Sequence, residues 1–485
     1  MKIAIVGLGV AGVSVLRELS RQLDTKQKTD YKIIIYTSEK EWGTGFPYQN
    51  DDESLLINQY TESMTIDLDN KDDFMNWVKR NKTVDAPYHT HLPRKWFGDY
   101  LRETAEQCMK ELNTEIRFEK VEDIEQTDMG HYTVFSNQSA EKVDAVHLTT
   151  GHLAYQDPYH LKGEAGYIYN PYPAEEVLTF PENTPSVGII GSGLTALDAM
   201  LYIQKKYPAI KLTFYSRNGL FSSVRGDEPA VNLHYFCDDR VKDLLNQMPE
   251  LTIGKVKEWF YKEMEEHQID ANWVWKHLGK GTLEGMALDL QYSKELGEFQ
   301  SMIRHMRTCY PFIWNALADN EKDQFLSEYS EQWQRFKAPI PQDTAKLLIE
   351  QINENAIRMV SGLESINKTA DGFKLLDSEQ NSYTEEYLIN CTGQSMKVSD
   401  SLHLQSKLLQ NLINKGMLTP QKYGGVKIDY PSMSIIDKSE FKHALFKTYG
   451  QMVSGVQFGN NNVELISHSA RTGVRHMLAA MQKQN

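Results

Sequence analysis

The stretch that decides the fold is Ile3-Ala4-Ile5-Val6-Gly7-Leu8-Gly9-Val10-Ala11-Gly12. It continues as an apolar-periodic run through Val13, Leu16, Leu19 and Leu23, and a second apolar run follows from Ile33 to Tyr36. The order is strand, glycine turn, helix, strand, and that context gives the glycine spacing its meaning. Gly7 permits a tight turn, Gly9 lets the backbone approach a pyrophosphate, and Gly12 lets helix and strand pack closely. Unpaired N–H groups at the helix N-terminus, where the dipole favours negative charge, would then receive the phosphates. The plainer alternative is a glycine-rich turn in an ordinary α/β domain; the flanking elements favour a dinucleotide site.

The same pattern recurs. Val187 to Ile190 reads as a strand, Gly191-Ser192-Gly193 as the turn, the chain from Leu194 as a helix, and Leu212 to Tyr215 as the second strand. Ala196 takes the third glycine position and is small enough for the same packing. Two copies predict two nucleotides, with a structural repeat around one ligand as the alternative. Specificity rests on the residue ending the second strand: an acid binds ribose hydroxyls, an arginine accommodates a 2′-phosphate. The second copy ends Tyr215-Ser216-Arg217, and the planar fork of Arg217 favours NADPH over NADH, unless it is a solvated surface arginine. In the first copy Thr37 stands at the acid position, with Glu39 two residues later. Either could reach a ribose hydroxyl, but the usual carboxylate is not at its usual place.

Whole-chain quantities narrow the classes. A length of 485 residues predicts two or three domains, and 40% hydrophobic with 24% charged residues is ordinary for a globular protein. The formal net charge of −14 argues against a nucleic-acid partner, which needs a basic face. Cys108, Cys237, Cys309 and Cys391 form no CxxC pair, which argues against a disulfide framework, a zinc site and a redox dithiol. The N-terminus shows no signal-peptide pattern, and no apolar run is long enough to span a bilayer, so a cytoplasmic protein without a membrane partner is expected.

Between the two turns, helices are expected around Phe74, Trp77 and Val78 and from Leu92 to about Leu112, and an apolar strand from Ala145 to Leu148 ends at Thr150-Gly151-His152. Pro158 to Pro185 reads as a linker, rich in proline, glycine and tyrosine. From about Arg225 to Lys337 helical periodicity dominates, and Trp259, Trp273, Trp275, Trp314 and Trp333 read mainly as core aromatics. Asn460 to Asn462 reads as a turn, because asparagine tolerates turn dihedrals, and a last helix is expected from about Ser469 to Met481.

GLGVAG (7–12), GTGFPY (43–48), LLINQYTESM (55–64), LPRKWFGDYL (92–101), TTGH (149–152), GSGLTALD (191–198) and INCTGQ (389–394) occur in an order that resembles a bacterial FAD/NAD(P)-binding protein family. That family is related to the flavin-dependent N-hydroxylating and Baeyer–Villiger-type monooxygenases. The resemblance spans nearly the whole chain, and IRHMRTCYPFIWNAL (303–317) with the stretch from Trp333 to Pro341 looks like the family's insertion. It implies an α/β fold with two Rossmann-like dinucleotide-binding domains and a mainly helical insertion. The FAD domain would comprise residues 1–157 and 392–485, and the NADPH domain residues 158–391, with the insertion at about 225–340. By position it implies FAD at Gly7, Gly9, Gly12, Gly45, Asn58, Met64, Arg94 and near Gly151, and NADPH at Gly191, Gly193, Thr195, Ser216 and Arg217. Two departures stand out: Thr37 replaces the flavin-ribose acid, and Gly450-Gln451 stands where many two-dinucleotide flavoproteins have Gly-Asp.

The chemistry so implied is hydride transfer from NADPH to flavin, capture of O2 as a C4a-peroxide, and hydroxylation of a small polar metabolite, an amine or amino-acid-like compound. The flavin carries the hard steps, while the protein positions the rings and excludes water. Candidates on the substrate side are Asn58, Gln59 and His152, then Arg225, Glu464, His468 and Arg471. Each has a plainer reading: a lone histidine is more often structural, and Glu464 and Arg471 could pair with each other or face solvent. No ligand spacing suggests a metal. Two rivals remain: an NAD(P)H oxidase or flavin reductase without oxygen insertion, and a dinucleotide-binding sensor that lost its flavin at Thr37.

Overall fold

The computed structural model describes residues 1–485 except 83, 85–88, 128–129, 249, 459–461 and 484–485. Its contacts divide the chain into two units, Met1–Ala154 with Gln394–Asn485, and Tyr155–Gly393.

The first unit is built on a seven-stranded sheet. Its order is Ile428–Asp429, Ser434–Ile436, Lys442–Thr448, Ala145–Leu148, Lys2–Val6, Lys32–Tyr36 and Thr114–Arg117. The last five strands run parallel, in the register Ile3↔Ile33, Val6↔Leu148 and Thr448↔Leu148. Such strands are covered on both faces, which is why they read as unbroken apolar runs. Ile3, Ile5, Ile33, Ile34 and Ile35 are fully buried, and each such side chain contributes about 1.5–3 kcal/mol. The helix Val10–Gln22 packs against both Arg94–Glu111 and Val463–Gln482, so residues from both ends of the chain close one core.

The second unit repeats the scheme with a five-stranded parallel sheet, ordered Ile357–Val360, Lys211–Tyr215, Ser186–Ile190, Leu388–Asn390 and Tyr167–Ile168. Tyr167–Ile168 lies inside the stretch expected to be a linker. Two residues carry no periodicity, and only pairing to Leu388–Asn390 makes them a strand. The long crossover from Lys211–Tyr215 to Ile357–Val360 holds the expected helical stretch, from Asp238–Asn246 to Ser330–Lys337, with its own core of Met264, Leu296, Phe299, Met302 and Phe336. Trp259 and Trp314 are buried there, while Trp273, Trp275 and Trp333 are half-buried against the core.

At the other end of the chain, Asn460 and Asn461 of the expected turn lie outside the described residues. Asn462 caps the last helix: its side chain accepts the Leu465 N–H at 3.1 Å. That helix therefore begins at Val463, six residues before its expected start at Ser469. The cap residue is the signal that a turn reading absorbs.

Candidate functional site

In the first unit three loops leave the same edge of three adjacent parallel strands: Gly7 to Gly9 after Lys2–Val6, Thr149 to His152 after Ala145–Leu148, and Gly450 onward after Lys442–Thr448. Ligands of open α/β sheets bind beyond this carboxyl edge. Gly7 has φ +102°, and a Cβ there would lie 2.4 Å from the Thr149 carbonyl oxygen. A Cβ on Gly12 would lie 2.2 Å from the Gly7 carbonyl oxygen. Thr149 closes the turn by donating its hydroxyl to the Gly7 carbonyl at 2.6 Å. The helix that follows starts at Gly9 with no side-chain cap and no acid in its first turn. Some helices of the chain carry side-chain caps, at Thr252, Asp270, Thr282, Ser406 and Asn462, while Arg94–Glu111 also starts without one. Helix N–H groups left without a capping side chain suit an anion.

The loop from Trp42 to Met64 is drawn to this turn. Gly45, at φ +63°, approaches so closely that a Cβ on Gly9 would lie 3.0 Å from its Cα. Leu55 to Ile57 is stitched to Leu92–Arg94 by backbone hydrogen bonds, and Arg94 Nε donates to the Leu56 carbonyl at 2.9 Å. Arg94 starts its helix held to this segment, and Asn58, just beyond it in the chain, is half-buried. Gln59 Oε1 accepts from Ser63 Oγ and from Asn462 Nδ2, at 3.3 and 3.4 Å. Met64 is buried and ends the short 3-10 turn Thr61–Ser63.

Around the other two loops, buried polar atoms lack partners among the described residues: Thr150 Oγ1, His152 Nδ1, Gln451 Oε1, Ser454 Oγ and Gln457 Oε1. Each such atom costs about 1–3 kcal/mol unless a bound group satisfies it. Gly151 at φ +77° and Gly450 at φ +66° face open space. Burial pushes the His152 imidazole down to about 4, so near neutral pH the ring is an uncharged hydrogen-bonding group. A flavin nucleotide fits this set: glycines that leave room, an uncapped helix for the pyrophosphate, and orphaned polar atoms along the strand ends. Just beyond the strand Lys32–Tyr36, Thr37 is half-buried, its N–H donating to the Arg117 carbonyl at 3.1 Å, and Glu39 is exposed.

The second unit repeats this geometry closely. Gly7 donates its N–H to Tyr36 and Gly191 to Tyr215, each at 2.8 Å. A Cβ on Gly191 would lie 2.6 Å from the Cys391 carbonyl oxygen. The helix Leu194–Lys206 starts at Gly193 without a side-chain cap or a first-turn acid, and Thr195 is half-buried in that turn. Thr392-Gly393 mirrors Thr150-Gly151, with Gly393 at φ +87° facing open space. Asn390 holds this turn: its Oδ1 accepts from Thr392 N–H and hydroxyl, and its Nδ2 donates to the Gln156 and Tyr169 carbonyls. Ser216 is buried and accepts the Gly219 N–H at 2.8 Å, which presents Arg217 as an exposed side chain. These residues fit a phosphorylated dinucleotide.

Several sequence candidates lie elsewhere. Arg471 pairs with Glu18 at 3.0 Å and Asp69 at 2.6 Å, rather than with Glu464, so it ties the last helix to the first. His468 is exposed. Arg225 is buried in an ion pair with Glu228. Sequence reasoning missed Thr149 and Asn390, whose roles depend on partners far along the chain, and Gln457, whose side-chain oxygen is left without a partner among the described residues.

Residues 4–153 match the family model described as FAD-NAD(P)-binding. An uncharacterized protein of Escherichia coli K12, YdhS, is 27% identical over 222 residues; the match takes in 42% of this chain and 39% of that protein's length. Among solved structures, the ornithine hydroxylase PvdA of Pseudomonas aeruginosa superimposes with a TM-score of 0.62 at 13% identity, covering 99% of both chains. The cadaverine monooxygenase DfoA of Erwinia amylovora, bound to FAD, gives a TM-score of 0.59 at 13% identity, covering 98% of this chain and 94% of that one. The fold is therefore that of the flavin-dependent N-hydroxylating monooxygenases, as the sequence resemblance implied. Among the described residues no helix is long and apolar enough to cross a membrane.

Proposed function

We propose that this chain is an FAD- and NADPH-dependent monooxygenase of the cytoplasm that hydroxylates a small polar metabolite, an amine or amino-acid-like compound, with O2 as co-substrate. The reading rests on one observation above the rest. Two strand–glycine turn–uncapped helix units stand in one chain, each walled by a Thr-Gly turn whose left-handed glycine faces open space. The fold shared with amine and amino-acid hydroxylases supports it.

In this reading the unit of Met1–Ala154 and Gln394–Asn485 holds FAD through Gly7, Gly9, Gly12, Gly45, Asn58, Met64, Arg94 and Gly151, with Thr37 or Glu39 at the ribose. The unit Tyr155–Gly393 holds NADPH through Gly191, Gly193, Thr195, Ser216 and Arg217. FAD, when bound, supplies hydride acceptance and oxygen activation. The chain's own tasks are simpler. The helix starts at Gly9 and Gly193 neutralise pyrophosphate, and Arg217 offers its guanidinium to a 2′-phosphate. Asn58, Gln59 and the uncharged His152 present hydrogen-bonding groups beside the first turn without adding charge to it.

The test is spectroscopic first and chemical second. NADPH added anaerobically to the flavin-loaded protein should bleach the flavin, and admitted O2 should then be consumed faster with the right amine, giving a product one oxygen heavier. Stoichiometric H2O2 with no hydroxylated product across amines and amino acids would replace this reading with an oxidase. Failure to take up FAD at all would replace it with a sensor.

A further inference from the structure

Of the four free cysteines, Cys108, Cys309 and Cys391 are buried and Cys237 is exposed. The helical insertion brings Cys309 to Cys237, an arrangement that their spacing in the sequence does not announce. Cys309 ends the turn Met306–Cys309, and Cys237 stands at the start of the helix Asp238–Asn246. That helix packs on the turn and on the helix Tyr310–Ala316 beyond it, with Lys242 Nζ 4.7 Å from the centre of the Phe312 ring.

The sulfur of Cys309 meets the chain on both sides of Cys237. Its Sγ donates to the Phe236 carbonyl at 3.1 Å and lies 3.5 Å from Asp238 Oδ1. One peptide unit separates that carbonyl from the Cys237 Cα, so the sulfur lies within about 6 Å of that Cα, comparable to the span of a disulfide. Cys237 Sγ itself makes only a long contact, 3.9 Å, with the His234 carbonyl, so little holds its side chain in place. The peptide that Cys309 meets is fixed by a carboxylate. Glu263, fully buried, accepts the N–H groups of His234, Tyr235 and Phe236 at 2.8, 2.6 and 3.0 Å. Burial, then the charge of Asp238, holds the Cys309 thiol above its ordinary range. The thiolate is the reactive form, so Cys309 does not meet oxidants first. The exposed Cys237 does, and Asp238 stands where it can take the Cys309 proton afterwards.

We propose that Cys237 and Cys309 form a redox-sensitive pair that closes to a disulfide when the protein meets hydrogen peroxide. The Cys237 sulfur, having released its proton, attacks one peroxide oxygen. The O–O bond breaks, and the departing hydroxide takes up that proton as water, leaving a sulfenic acid on Cys237. The Cys309 sulfur then attacks the Cys237 sulfur while its own proton passes to Asp238. The S–S bond forms, the S–O bond breaks, and hydroxide leaves with the proton from Asp238 as a second water. Two thiols lose two electrons, and one peroxide is reduced to two waters. The link ties the segment from Arg225 to Cys237 to the stretch 303–317, where Arg304 already reaches Glu228 at 2.7 Å. It requires neither flavin nor turnover.

The test exposes the reduced full chain, freed of reductant, to hydrogen peroxide. Remaining thiols are blocked with N-ethylmaleimide, and the protein is digested without reduction for mass spectrometry. Free thiols should fall from four to two per chain, with a peptide joining Cys237 to Cys309 that dithiothreitol separates. Cys237→Ser should abolish the loss of the Cys309 thiol. Cys309→Ala should leave a sulfenic acid on Cys237, trapped by dimedone at a several-fold higher yield than in the natural chain. Oxidation of Cys237 alone to sulfinic or sulfonic acid, a link between the Cys237 residues of two chains, or loss of the Cys309 thiol in Cys237→Ser would each overturn the pair. Should Cys309→Ala fail to fold, the peptide map of the natural chain still decides. Because the readout is the state of two sulfurs, its failure is separable from a failure of the monooxygenase reading.

Discussion

At Gly12 an added methyl group would sit 2.2 Å from a backbone oxygen, and no side-chain rotation relieves that. Gly151 is the opposite case: nothing lies near its absent Cβ, and only the left-handed backbone at φ +77° resists substitution. Gly12→Ala should therefore cost about 1–3 kcal/mol or more through overpacking and abolish flavin retention. Gly151→Ala should cost about 1–2 kcal/mol through backbone strain alone and lower flavin affinity less. The flavin-to-protein absorbance ratio and the melting temperature check both, and full flavin content in Gly12→Ala would refute the close-packing argument. His147 makes a different point. It is fully buried, its Nδ1 2.8 Å from the Tyr449 hydroxyl, and burial with the nearby Lys447 charge pushes it down to about 3. The unfolded chain protonates such a ring near pH 6.5 while the folded one does not. Stability from His147 and His152 is thus complete above that pH and falls as pH drops from 6.5 toward about 4, by up to about 1.4 kcal/mol per pH unit per ring. Urea midpoints between pH 7.5 and 4.5 should show this slope, and it should be shallower in His147→Gln. An equal slope in the variant would show that the ring is not responsible.

At the scale of elements, the helices Val10–Gln22 and Leu194–Lys206 leave their first N–H groups without a capping side chain or a first-turn acid. A carboxylate placed in that first turn would take the anion's place through the dipole and the free N–H groups. Thr195→Asp should raise the KM for NADPH more than about tenfold through charge repulsion at the phosphates while leaving flavin content unchanged. Steady-state kinetics checks the first and absorbance the second; unchanged KM would move the nucleotide away from Gly193. Sequence patterning found these helices because their apolar period and their glycine punctuation are local. It misjudged the last helix because an Asn462 cap and an asparagine turn look alike until the chain beyond is seen to coil.

Across the whole molecule, each unit carries its own sheet and its own glycine turn. Ligand binding to the folded form stabilises the part that binds, by about 2.7 kcal/mol at a hundred times the dissociation constant. Hydrogen exchange read by mass spectrometry should then separate the two nucleotides. FAD should slow exchange around Gly7–Gly12 and Thr149–His152, and NADPH around Gly191–Thr195 and Ser216–Arg217. Protection of the first turn by NADPH alone would reverse the assignment.

The sequence by itself determined the two strand–turn–helix units, because steric need at Gly7, Gly12 and Gly191 and the apolar period of the flanking elements are properties of neighbouring residues. It also determined the helical character of the long crossover. Only the tertiary structure decided what surrounds those turns. Thr149, which meets Gly7 across more than a hundred residues, and Gln451 with its orphaned oxygen become part of a site through sheet register. The pairing that makes Tyr167–Ile168 a strand and the ion pairs that claim Arg471 and Arg225 have the same origin. The physical reason is that burial and partner choice are set by contacts between segments far apart in the chain, and no local pattern encodes which segments will meet.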